Sequence, residues 1–178
     1  MDRVFRRVRG IALAELVIVV LILGILAAVA GPKYADVVSR VRVNSAARRV
    51  AADLNMARRM AMTQGVSQRV HFSLFEFPPN DDKYELMDYN DMDHPGRLYA
   101  VELGKTTYPA KLISVQFTNA NGFVAPRRVR FNMYGQPESG RPPGDPMAPL
   151  VAGSVTLAAG SHERKVVIDP VTGEAGVQ

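Results

Sequence analysis

The sequence predicts an α+β chain, one long N-terminal helix followed by a β-rich antiparallel domain, and three observations carry that reading. Ile11 to Gly31 is a run of 21 residues whose sole charge is Glu15. Val43, Ala47, Val50, Leu54, Ala57 and Ala61 then recur at spacings of four and three, which places them on one face of a helix. From Val66 onward the period changes to two, with Val70, Phe72 and Leu74 alternating with His71 and Ser73, as on a half-buried strand.

Composition bounds the chain before any motif is read. Its 178 residues, 47% hydrophobic and 22% charged, allow one modest globular domain and argue against a disordered, collagen-like or polytopic membrane chain. Zero cysteine excludes a disulfide scaffold, a thiolate metal site and a thiolate nucleophile. The net charge of +5 hides a block pattern: residues 1–10 carry +3, residues 33–70 carry +6 and residues 71–102 carry −6. A uniform nucleic-acid-binding surface is not what this pattern describes.

The first helix has to be explained by its solvent. Twenty-one helical residues rise about 30 Å, the hydrocarbon thickness of a bilayer. A cleaved secretory signal has a shorter apolar region of about 7–15 residues followed by a small-residue cleavage site; here the run is longer and the processing point, Arg9-Gly10-Ile11, lies before it. A carboxylate inside an apolar span costs enough to require a partner, which singles out Glu15. The charges flanking the span, four arginines before it and Lys33, Arg40 and Arg42 after it, favour a cytoplasmic N-terminus only weakly.

At Gly10-Ile11, Glu15-Leu16, Gly24-Ile25-Leu26-Ala27-Ala28 and Pro32-x-Tyr34 the sequence resembles the type IV pilin and pseudopilin family. The resemblance implies a basic leader over 1–10 removed by prepilin peptidase after Gly10, N-methylation of the new terminus Ile11, and a filament-assembly role for Glu15, which neutralises the terminal amine of a neighbouring subunit. It further implies a transmembrane and filament-core helix over 11–31, an amphipathic continuation over 32–65 and a β-rich domain over 66–178. The expected setting is single-pass in the inner membrane, N-terminus cytoplasmic and C-terminal domain outside, with other pilins or pseudopilins and membrane lipid as partners. Ile11, Ala12 and Ala14 depart from the residues common in the family at those positions but leave the glycine and the glutamate intact.

The helix is expected to run from about Ala12 to about Gln64, capped by Gly65 and kinked near Pro32. Strands are expected over 84–89, 97–103, 112–117, 129–133, 154–158 and 165–168. Leu54-x-x-Ala57-Arg58-x-x-Ala61, together with Val129 to Gly135, Gly153 to Leu157 and Arg164 to Ile168, resembles the GspH/FimT-like minor pseudopilin domain. Residues 136–149 hold five of the twelve prolines and are expected to form an irregular inserted loop.

Chemistry is sparse. His71, His94 and His162 are in no zinc spacing. Gly104-Lys105-Thr106 lacks the glycine five residues earlier that a phosphate loop requires, Tyr99 standing there. No nucleophile-elbow serine occurs, and no paired carboxylates have a context that would raise one pKa, so no catalytic residue, cofactor, metal or small-molecule substrate is expected. The stretch 80–93 gathers five aspartates and reads as a solvated acidic hairpin, with a calcium loop as the alternative. The paired arginines Arg48-Arg49 and Arg58-Arg59 read as a solvated face or as filament contacts, with a nucleic-acid or lipid-headgroup strip as the alternative. The expected function is a structural minor pilin or pseudopilin of a type II secretion pseudopilus or a type IV pilus. Two other classes stand beside it: a DNA-binding pilin using Arg127, Arg128, Arg130, Arg164 and Lys165, and a membrane-anchored domain unrelated to filaments.

Overall fold

A computed structural model describes residues 9–74, 82–107, 109–122, 124–125, 127–141 and 145–178. Residues 1–8 of the expected leader and the start of the acidic stretch, Asn80 and Asp81, lie outside them. The chain forms two compact units, residues 1–38 and residues 39–178. The first described element, α1, is one helix over Arg9–Gln64 that continues through Pro32, although proline offers no N–H to the preceding turn. It begins three residues earlier than the apolar pattern predicts, and it ends where expected, because Gly65 takes the left-handed backbone (φ 66°) that suits a helix C-terminus.

In the second unit α1 buries the face that its periodicity marks. Val43, Ala47, Val50, Leu54, Ala57 and Ala61 are all at most 1% exposed, and Ala46 and Ala51 join them. Four of these eight positions are held by an alanine within one turn of a valine or leucine, which lets the helix backbone approach the sheet closely. Against it stand β1 (Gln68–Ser73), β2 (Lys83–Asn90), β3 (Leu98–Glu102), β4 (Lys111–Asn119), β5 (Val124–Ala125), β6 (Arg128–Phe131), β7 (Pro137–Arg141), β8 (Asp145–Ala159), β9 (His162–Ile168) and β10 (Ala175–Val177). A short 3-10 helix, Leu103–Lys105, follows β3.

The sheet order is β10-β9-β8-β7-β6-β1-β2-β3, with β4 also pairing β8 and β5, and every described pair is antiparallel. Strand β8 holds it together: Ala148 and Pro149 pair with β7, whereas the strand pairs with β4 from Leu150 and with β9 from Gly153. Phe72 anchors the core, its ring centroid 5.7 Å from Tyr84 and 5.9 Å from Phe117.

The proline-rich stretch corrects the sequence expectation. In place of an irregular loop over 136–149, β7 and the start of β8 form paired strands. Proline lacks a ladder donor but is tolerated at the first residue of a strand and near bulges. Pro137 is the first residue of β7, and the β7–β8 register shifts between Ser139 and Arg141. Buried Asn119 adds what the prolines withhold: its Nδ2 donates to the Ser139 carbonyl at 3.0 Å, while the Ser139 hydroxyl donates to the Phe117 carbonyl at 3.2 Å.

Candidate functional site

In the first unit the apolar character of the sequence is displayed outward. Every described side chain from Leu13 to Ala28 is exposed, including Leu13 at 68% and Leu26 at 59%. Among the described residues this is the one helix with a stretch long and apolar enough to cross a membrane. Glu15 is exposed on it, one helical turn after Ile11. Gly10 and Ile11 stand in the first turn of α1. A water-exposed surface of this kind is unfavourable at about 25 cal/mol per Å², which is consistent with membrane anchoring of the segment.

In the second unit the helix is tied to the sheet by polar groups as well as by packing. Asp53 on α1 accepts a short hydrogen bond from the Tyr84 hydroxyl of β2 and a second, at 3.3 Å, from Tyr99 of β3. Arg49, one turn earlier, lies 3.9 Å from the same carboxylate. Burial is the main influence on the Asp53 carboxyl and raises its pKa, opposed by the Tyr84 bond, the Arg49 charge and the Tyr99 bond. Burial, followed by the Asp53 charge, pushes the Tyr84 phenol far above its ordinary value, so Tyr84 remains the donor. Farther along, Asn44 accepts from Arg164 Nε at 2.8 Å. These contacts make a clamp, and each group in it is engaged with protein.

Asp53 could have been suspected from sequence, since a carboxylate beside Leu54 and three residues after Val50 sits at the edge of an apolar helix face. No sequence signal marks Asn44.

The structure separates the five basic residues grouped by the sequence. Val129 and Phe131 are buried, so Arg128 and Arg130 of β6 point to the opposite face of the sheet. There the register sets Arg130 beside Arg69 and Arg128 beside His71, two residues the grouping missed because the pairing of distant strands is not visible in local sequence. Arg127 immediately precedes β6, and its carbonyl accepts from Phe72 N at 2.8 Å. Arg164 and Lys165 are on β9, two strands removed from β6 by β7 and β8. Arg164 shares the parity of buried Val166 and Ile168 and turns to Asn44, whereas Lys165 is exposed on the other side.

The histidines are dispersed on β1, in the β2–β3 turn and on β9. Among the described residues no three His, Asp or Glu side chains gather closely enough to hold a metal ion. Within the acidic stretch the carboxylates have separate fates. Asp82 is only 8% exposed, unlike the solvated group expected there. Asp88 binds Arg69, and Asp91 faces the His94 ring at 2.9 Å. Arg69 holds the Asp88 carboxyl below the usual range.

Compared with known proteins, residues 46–173 match the family model described as Type II transport protein GspH. This chain belongs to the GspH family. The matched region runs from the sheet-facing half of α1 to the turn after β9, so it takes in most of the core, Asp53 with its two tyrosines, and the β1–β6 face. A GspH chain is a pilin-like minor pseudopilin, and the long helix before an antiparallel sheet has that α+β form. Two crystal structures of the Pseudomonas aeruginosa (strain PAO1) type IV minor pilin FimU are similar in part. One has a TM-score of 0.43 and 15% identity, covering 76% of this chain and 91% of that one. The other has a TM-score of 0.44 and 13% identity, covering 78% and 88%. No curated protein matches this GspH chain.

Proposed function

We propose that this GspH-family chain is made as a precursor, cleaved by prepilin peptidase after Gly10, methylated on Ile11 and incorporated as a minor subunit into a secretion pseudopilus or a type IV pilus. Before assembly, residues 11–31 hold it in the inner membrane with the N-terminus cytoplasmic and the β domain outside. The observation that carries this reading is the exposed apolar helix with Glu15 as its only charge, placed directly before a GspH domain. A buried ammonium and a buried carboxylate each cost several kcal/mol unless they meet, so the new amine of one subunit and Glu15 of its neighbour attract each other within the filament core. The domain beyond residue 39 then supplies the outer, partner-specific surface. This work is assembly, with other pilins or pseudopilins as partners.

In-cell cross-linking from a position near Glu15, with mass identification of the captured chain and of the mature N-terminus, tests the reading. Secretion pseudopilins captured by a chain that begins at Ile11 assign it to the secretion machine, and pilus subunits assign it to pili. A leader still attached, with no pilin-like partner, overturns it in favour of an anchored domain of another kind.

A further inference from the structure

The face of the sheet turned away from α1 carries a groove that filament-core packing leaves unused. Arg69, His71, Arg128 and Arg130 rim it, Met87 of β2 and Met147 of β8 contribute apolar walls, and it encloses about 220 Å³. Most of its charge is already matched. Arg69 makes two bonds to Asp88, at 2.9 and 2.6 Å, and Arg130 pairs with Glu138. Burial and the neighbouring Arg128 lower the pKa of His71, and Glu85 stands level with it on β2. Arg128 is exposed and has no hydrogen bond or ion pair among the described residues. Among the described residues the groove therefore offers one guanidinium outside any ion pair, beside a thioether-walled slot. A nucleic-acid backbone requires a row of free cations, whereas a single one next to adaptable methionines suits a carboxylate adjoining an apolar side chain.

The chain presents that chemistry itself, at the tip of the β2–β3 turn. Met92 is 82% exposed between Asp91 and Asp93. Asp91 is occupied by the Asp93 amide at 3.0 Å and by His94, which leaves the exposed Asp93 carboxylate as the outward charge. The tip stands away from its own groove: β2 runs past the groove wall at Met87, and Asp91 lies four residues farther on, about 13 Å along the strand direction at 3.3 Å per residue.

The geometry points to a head-to-tail contact between two copies of this chain, in which the Asp91–Met92–Asp93 tip of one copy enters the β1–β6 groove of the next. Met92 lies between Met87 and Met147, and Asp93 meets Arg128. Because tip and groove are different surfaces, the contact is heterologous and leaves a free tip and a free groove at the two ends of any pair. It does not depend on leader cleavage, so it can be read whether or not filament incorporation occurs.

The absence of cysteine makes the test direct. Two differently tagged full-length chains are co-expressed, one carrying Met92→Cys and the other Met147→Cys, and their membranes are oxidised; a second pair uses Met87→Cys on the groove side. A disulfide dimer bearing both tags is expected in at least one pair. Arg128→Glu in the groove chain should lower its yield about tenfold through like-charge repulsion, and Asp93→Arg in the tip chain should restore it. The assignment is overturned if both proteins are present and neither pair forms the double-tagged dimer, or if its yield ignores Arg128→Glu. Capture of a different protein by the groove cysteine overturns it too, as does Arg128-dependent retention on DNA without the dimer.

Discussion

Asn55 on α1 and Ala175 in β10 close two hydrogen bonds across 120 positions of sequence, the side-chain Nδ2 donating to the Ala175 carbonyl and Oδ1 accepting from its amide, both at 2.9 Å. One carboxamide thus replaces the neighbouring strand that this end of the sheet lacks, because β10 is three residues long and pairs only with β9. Replacing Asn55 with alanine strands a backbone donor and acceptor, a loss of about 1–3 kcal/mol. Thermal melting of the full chain in detergent should show the lower stability, and hydrogen exchange should show faster exchange at the Ala175 amide. Unchanged exchange there would mean that the carboxamide does not hold the strand.

Two glycines with similar backbone angles should respond differently to alanine. Gly173 has φ 73° and Gly122 has φ 76°, both in the left-handed region. A Cβ at Gly122 meets nothing within 4 Å, whereas one at Gly173 runs into the Gly135 carbonyl oxygen, with Arg58 and Pro137 side-chain atoms at 3.3 Å. Gly122→Ala therefore carries only the conformational cost of about 1–2 kcal/mol. Gly173→Ala adds a clash with backbone that cannot rotate away, for at least ~2 kcal/mol in all. Denaturation midpoints measured side by side decide it, and equal losses would contradict the close approach of the two turns.

The Asp53 clamp predicts a pH dependence. Its carboxyl is raised above the ordinary 3.8, burial being the largest cause. A group whose pKa is higher in the folded than in the unfolded chain contributes stability that is complete below the unfolded value and is lost as pH rises through the folded value. Asp53→Asn keeps an acceptor for Tyr84 and carries no charge, so it should gain on the wild type as pH is raised from about 4 to about 7. The difference between the two proteins isolates this group from Asp88 and His71. A constant difference across that range would show that Asp53 is as well solvated as in the unfolded chain.

What was legible in the sequence was what is local. The buried face of α1 could be read because each of its contacts falls on a residue of the right size at the right spacing, and Gly65 marked its end. Most strands could be read from alternation, but β5 and β10 are too short to show a period. The prolines around β7 signalled a loop because their cost depends on which N–H faces a partner strand, something only the register reveals. The same limit governs the surfaces. Glu15 is conspicuous because a charge inside an apolar run is anomalous wherever the run goes. The groove rimmed by Arg69, His71, Arg128 and Arg130 exists only once β1 lies beside β6, and the pairing of Asn55 with Ala175 has no local signature at all.

The proposed role of Glu15 separates cleavage from assembly. If its carboxylate serves to meet the amine of a neighbouring subunit, it is unnecessary until the leader has gone and becomes necessary when the helix enters the filament core. Glu15→Ala should then yield a chain whose mature N-terminus is Ile11 but which stays in the membrane fraction and is depleted from sheared filaments by about tenfold or more, since an unpaired buried amine costs several kcal/mol. Glu15→Gln keeps the size and polarity and loses the charge, so it should fail as the alanine variant does. Gly10→Val should block the earlier step, leaving an uncleaved chain with no Ile11 amine to offer the glutamate of a neighbouring subunit. Mass measurement of the N-terminus in both fractions distinguishes these cases. Filament entry by Glu15→Gln at the wild-type level would mean that polarity or helix packing, and not charge pairing, recruits the subunit.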